Sequence, residues 1–130
     1  MTFPRVFIAG CWNDRQKIKQ AIEHFSQFCD VTHDWTTHED ESLFNNLSYL
    51  KCQAILDVDG IERADYLVVI MDVPNYAYMG TWTEIGIAIQ SGIKIWMYNP
   101  AGLCSTNVYY HHPLIKKFDN MDSIINYLKD

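Results

Sequence analysis

Apolar residues along this chain fall into short runs of strand length that alternate with longer stretches of helical spacing. Arg5 to Gly10 reads as a first strand closed by glycine. Cys11 to Arg15 follows as a loop in which Asn13 or Asp14 is a natural helix cap. Ile18, Ala21, Ile22, Phe25 and Phe28 then recur on one face and predict a helix from about Arg15 to Phe28. Cys29 to Trp35 predicts a second strand, and the polar segment Thr36 to Ser42 a rim loop. Leu43 to about Lys51 and Ala54 to Ala64 read together as one long helix with a break. Its expected buried face is Ile55, Val58, Ile61 and Ala64. Tyr66 to Asp72 is the third strand, followed by a Pro/Asn/Tyr/Gly loop from Val73 to Gly80. A helix from Thr81 to about Ser91 comes next, apolar nearly all round and so expected to be buried. Gly86 would let it approach a neighbouring backbone. Gly92 is the expected stop, Ile93 to Tyr98 the fourth strand and Asn99 to Gly102 a turn. Leu114 to Phe118 is a short fifth strand, and Asp119 or Asn120 caps a last helix carrying Met121, Ile124, Ile125 and Leu128.

Strands alternating with helices predict a mainly parallel sheet of about five strands with helices on both faces. The fold class is therefore α/β, doubly wound in the flavodoxin or Rossmann manner, with expected strand order 2-1-3-4-5. Such sheets bind ligands outside the carboxyl ends of the strands, at the switch point between strands 1 and 3. There the loop after Gly10 meets the loop before Glu84. Two readings of Glu84 stand side by side. As a carboxylate in the first turn of a buried helix it would be held rigidly and kept ionised by the dipole, ready to act as nucleophile or base. Thr81-x-x-Glu84 is equally a capping box, a structural device.

Composition narrows the function classes. At 130 residues one domain, spanning 1–130, is the sensible count, and 48% hydrophobic residues suffices for a packed core. A net charge of −6 gives no footprint for a nucleic acid polymer, although backbone amides could still hold a mononucleotide phosphate. No apolar run reaches membrane-spanning length, and Met1-Thr2-Phe3-Pro4-Arg5 runs straight into a strand without a secretory pattern. Cys11, Cys29, Cys52 and Cys104 are scattered, so reduced thiols and a cytoplasmic location are expected. His33, His38, His111 and His112 match no zinc spacing, and no metal or cofactor is expected.

Four stretches together resemble the nucleoside 2-deoxyribosyltransferase-like superfamily. They are Val6 to Gly10, Val31 to Trp35, Asp57-x-x-x-Ile61-x-x-Ala64-Asp65, and Gly80-Thr81-x-x-Glu84-Ile85-Gly86-x-Ala88. That superfamily includes nucleoside 2-deoxyribosyltransferases and 2'-deoxynucleoside 5'-monophosphate N-glycosidases. The resemblance implies that Glu84 attacks the anomeric carbon of a deoxyribonucleoside, or its 5'-monophosphate, and expels the base through a covalent intermediate. Asp57 would contact the sugar or assist the leaving base. Phe7, Gly10, Cys11, Trp12, Asn13, Asp72, Tyr78, Gly80 and Thr81 are the candidate substrate-binding positions, with Trp12 and Tyr78 the preferred base platforms among Trp12, Trp35, Tyr76, Tyr78 and Trp82. The resemblance also implies a small-molecule nucleoside or nucleotide partner and a homodimer or higher homo-oligomer.

Three positions depart from the family pattern. Phe7 stands where a tyrosine hydroxyl often bonds the catalytic glutamate. Tyr78 stands six residues before Glu84, where phosphate-preferring members have serine, and Cys11 replaces a serine after the first glycine. Phe7 keeps open an alternative: a nucleotide-binding or sensing module with weak or no turnover. A glycosidase acting on another nucleotide-like substrate, such as a nicotinamide dinucleotide, is a further alternative.

Overall fold

The computed structural model describes residues 2–37 and 45–129. His38, most of the expected rim loop and the expected helix start at Leu43 lie outside the described residues. Within them the chain runs β1 (Arg5–Ala9), α1 (Arg15–Phe25), β2 (Asp30–Val31), α2 (Leu47–Glu62), β3 (Tyr66–Ile70), α3 (Met79–Gln90), β4 (Lys94–Tyr98), β5 (Ile115–Phe118) and α4 (Met121–Lys129). The sheet is parallel throughout, in the order β2-β1-β3-β4-β5, as the alternation predicts. No helix among the described residues is long and apolar enough to cross a membrane.

Two hydrophobic layers explain why the central strands are unbroken apolar runs: each strand is buried on both faces. Val6, Ile8, Val68 and Ile70 pack with Ile18, Ile22 and Phe25 of α1 and Ile124, Ile125 and Leu128 of α4. Phe7, Ala9, Leu67, Val69, Ile95 and Met97 pack on the opposite side with Ile61 of α2 and Ile85 and Ala88 of α3. A side-chain period of two sends alternate strand residues to alternate layers.

Several boundaries differ from the sequence expectation, each for a local reason. β2 is two residues long because Thr32 turns towards α2, its hydroxyl donating to the Gly60 carbonyl at 2.6 Å. The β1 edge left beyond β2 is closed by Trp35, whose Nε1 donates to the Ile8 carbonyl at 2.7 Å. α1 ends at Phe25, not Phe28, where the Ser26 hydroxyl donates to the Ile22 carbonyl at 2.7 Å. α2 is continuous, without the expected break. Its expected buried face is half wrong: Ile61 and Ala64 are buried, but Ile55 is 59% exposed and Val58 37%.

α3 starts at Met79, two residues before the expected Thr81, with Tyr78 in the left-handed region at φ 54°. Thr81 therefore lies inside the helix and is not its cap, so Thr81 and Glu84 form no capping box. Gly86 is exposed, and a Cβ there would meet nothing within 4 Å, so it mediates no close approach. Tyr78 is buried, and its hydroxyl accepts from the Val73 amide at 3.0 Å. Tyr78→Phe should lower stability by about 1 kcal/mol, read by chemical denaturation, because the Val73 donor loses its partner. Unchanged stability would mean that water replaces the hydroxyl without cost.

Candidate active site

The carboxyl ends of β1 and β3 open into a cavity of about 430 Å³. That volume lies in the range of small-molecule sites. Gly10 ends β1 at its floor, and a Cβ on Gly10 would come within 2.4 Å of Ile18 Cδ1 and 2.9 Å of Cγ1. Because Ile18 is fully packed in the α1 layer, only glycine fits here, and the backbone itself faces the cavity. Gly80 and Thr81 bring the start of α3 to the same place, and Thr81 Oγ1 donates to the Gly10 carbonyl at 3.5 Å. The first amides of α3 have no side-chain cap, since Tyr78 supplies none.

Glu84 and Asp57 enter from different helices. Glu84 lies in the second turn of α3, and Asp57 lies on the inward stripe of α2 with Tyr49 and Gln53. Burial pushes the Glu84 carboxyl up to about 8, and the charge of Asp57 adds to the rise. This reverses the expectation that the helix dipole keeps Glu84 ionised. One turn further along the helix, desolvation outweighs a dipole effect confined to the first turn. Burial likewise raises Asp57, while His33 partly opposes the rise. His33 Nε2 stands 3.6 Å from Asp57 Oδ1.

Aromatic rings form the walls. Trp12 and Trp35 lie 6.0 Å apart between centroids, tilted by 32°, and Tyr76 stands edge-on to Tyr78 at 4.7 Å. Trp12, Trp35, Tyr76 and Tyr49 line the cavity.

Of the positions singled out in the sequence, Glu84, Asp57, Gly10, Trp12, Gly80 and Thr81 meet at this cavity. Phe7, Cys11, Asn13, Asp72 and Tyr78 lie outside its lining. Phe7, Cys11 and Tyr78 are buried in the core layer beneath it. Asp72 pairs with Lys17 of α1. Trp82 lies outside the lining too, packed against the same core layer. Tyr49, Leu50, Gln53, Ala54, Thr83 and Ile87 line the cavity without having been singled out, and Val58, expected in the core, lines it too. The signal was present, since Tyr49, Gln53 and Asp57 recur at helical spacing, but they were hidden behind the more apolar Ile55.

No family model matches the chain, and no curated protein matches it. Among solved structures it is similar to that of Clostridium botulinum CMP N-glycosidase, BcmB. The two share 20% sequence identity over 97% of this chain and 99% of that one, with a TM-score of 0.57. The likeness is one of fold. It extends the doubly wound five-strand architecture over nearly the whole of both chains.

Proposed function

We propose that this protein breaks the N-glycosidic bond of a nucleoside or nucleotide, with Glu84 as nucleophile and Asp57 as the partner of the sugar or leaving base. The observation that carries this reading is the convergence of two carboxyls, from separate helices, on one aromatic-walled cavity. A Glu84 oxygen would form a bond to the anomeric carbon as the bond to the base nitrogen breaks. The electron pair leaves with the base, which takes a proton from Asp57. Water or a second base then attacks the anomeric carbon and frees Glu84. Trp12, Trp35 and Tyr76 supply ring faces for the base. Uncapped amides at Gly80 and Thr81, with the backbone at Gly10 and Trp12, suit the 5' end of the substrate.

On the sequence resemblance the sugar is 2-deoxyribose and transfer to a second base is slightly preferred. The similar solved protein is named for CMP, so the test spans both sugars. Base release from ribo- and deoxyribonucleosides and their 5'-monophosphates would be followed by chromatography, with and without an acceptor base. Release into water alone identifies a hydrolase, and dependence on an acceptor identifies a transferase. A second reading, a nucleotide-binding module without turnover, is favoured by Phe7, which carries no hydroxyl where the resembled family often has tyrosine. It wins if no compound turns over while one raises the melting temperature.

The reading includes a homo-oligomer, and α2 is where it would form. Leu47 is 81% exposed and Ile55 59%, with Leu56 and Val58 also open to solvent, on a helix otherwise expected to be covered. Sedimentation of the wild type should show a dimer or larger species, and Ile55→Glu should shift it to monomer. A wild type that sediments as monomer at all concentrations removes the oligomer from the proposal.

A further inference from the structure

His33 and Asp57 form a pair whose construction uses more of the sequence than either residue alone. Gly60 lies one turn after Asp57 on α2. A Cβ at Gly60 would approach His33 Cβ at 3.0 Å and Phe7 Cδ2 at 3.1 Å. A glycine inside a helix is less favourable than alanine, and here it makes the notch that seats His33 against α2. The residue before His33 is fastened on three sides. The Thr32 amide donates to the Val6 carbonyl at 2.9 Å, the Thr32 hydroxyl to the Gly60 carbonyl at 2.6 Å, and Arg63 Nη2 to the Thr32 carbonyl at 2.9 Å. Arg63 is itself held by Asp59 at 2.8 Å.

This seating points the imidazole at Asp57. His33 Nε2 and Asp57 Oδ1 are both enclosed, and neither has a hydrogen-bond partner at a separation of 3.6 Å. Buried polar atoms left open in this way require an explanation. Each is the other's nearest answer, a few tenths of an ångström beyond bonding range. Asp57 faces the cavity while His33 does not line it, so His33 can reach a bound molecule only through Asp57. The His33 side chain retains 15% exposure. The other ionisable groups around the pair are Glu84 from α3, Tyr49 and Asp59 from α2, Arg63 just after α2, and Asp34 beside His33 in the chain.

We propose that His33 is the positioning partner of Asp57: it closes onto Oδ1 and replenishes the proton that Asp57 gives to the departing base. As the glycosidic bond breaks, its electron pair goes to the base nitrogen and the Asp57 proton follows. Asp57 recovers a proton from the His33 imidazolium, and His33 recovers one from water. The pairing itself stands on geometry, and only its catalytic consequence rests on the glycosidase reading.

The test has one arm for each. In the first, the His33 ring nitrogens are observed by NMR in wild type and in Asp57→Asn, assigned by their loss in His33→Gln. Removing a paired carboxylate should move the Nε2 resonance well beyond any change at Nδ1. An unmoved Nε2 resonance overturns the pairing, whether or not the protein turns anything over. In the second arm, His33→Leu is assayed with substrates whose leaving groups differ in basicity. The loss should be about 10- to 100-fold for a poorly leaving base and within about twofold for an activated leaving group that needs no proton. An equal loss across the series would assign His33 a merely structural role. Absence of wild-type turnover would remove the glycosidase reading and the relay together, while the ring-nitrogen spectra would still decide the pairing.

Discussion

Glu84→Gln should yield a folded protein that releases no base. Glutamine keeps the shape of the side chain and, being neutral, matches the protonated carboxyl that burial favours in the empty site. The substitution therefore places no new strain or charge on α3. It removes the oxygen nucleophile outright, because an amide cannot form the glycosyl ester. A covalent route deprived of its nucleophile should lose about 10³- to 10⁴-fold in kcat, equivalent to roughly 4–5.5 kcal/mol of barrier. Ligand binding should survive, since Trp12, Trp35, Tyr76 and the glycine backbone remain. Base release by chromatography and ligand-induced melting shifts, measured on the same preparation, separate the two effects. Turnover within tenfold of wild type would remove Glu84 from the nucleophile role.

The fold was legible in the sequence because it rests on periodicity. Runs such as Val6 to Ala9 and Leu67 to Ile70, separated by helices, admit few topologies, and the switch point between β1 and β3 follows from the order of strands. The site was legible only in part. α2 is apolar on more than one side, so spacing alone could not say whether Ile55 or Tyr49, Gln53 and Asp57 turn inward. Tyr78 resembled an exposed loop aromatic, yet a left-handed backbone at that residue swings the ring into the core and leaves Tyr76 on the cavity. No pattern in a sequence announces a tyrosine at positive φ. The state of Glu84 was equally hidden, since it depends on how much water the folded walls remove and on a carboxyl brought in from another helix.

That hidden state sets the second large effect, in which activity and stability should respond to pH in opposite directions. The nucleophile must be ionised, and its carboxyl titrates near 8 in the free protein. kcat/KM reports the free enzyme, so its Glu84 limb should rise about tenfold per unit below that midpoint, while loss of the proton that Asp57 gives the base sets a falling limb. Asp57→Asn should move the Glu84 midpoint to lower pH, read from the stability profile, because the Asp57 charge is the second cause of the rise. Stability runs the other way. In the unfolded chain Glu84 ionises near its ordinary 4.5, whereas the folded protein holds the proton up to about 8. Below 4.5 both states are protonated and the folded state has its full stability. Between 4.5 and 8 the unfolded state gains by ionising, and stability falls progressively. With the partial exposure of Glu84 discounted, the loss should be on the order of 2 kcal/mol. Melting temperatures of wild type should thus decline across this window, and those of Glu84→Gln should decline less, leaving the inactive variant the more stable at pH 8. Parallel curves for the two proteins would mean that Glu84 is solvated and ionised at neutral pH. A positive result would identify the buried carboxyl as a group whose desolvation costs stability at the pH where the chemistry needs its charge.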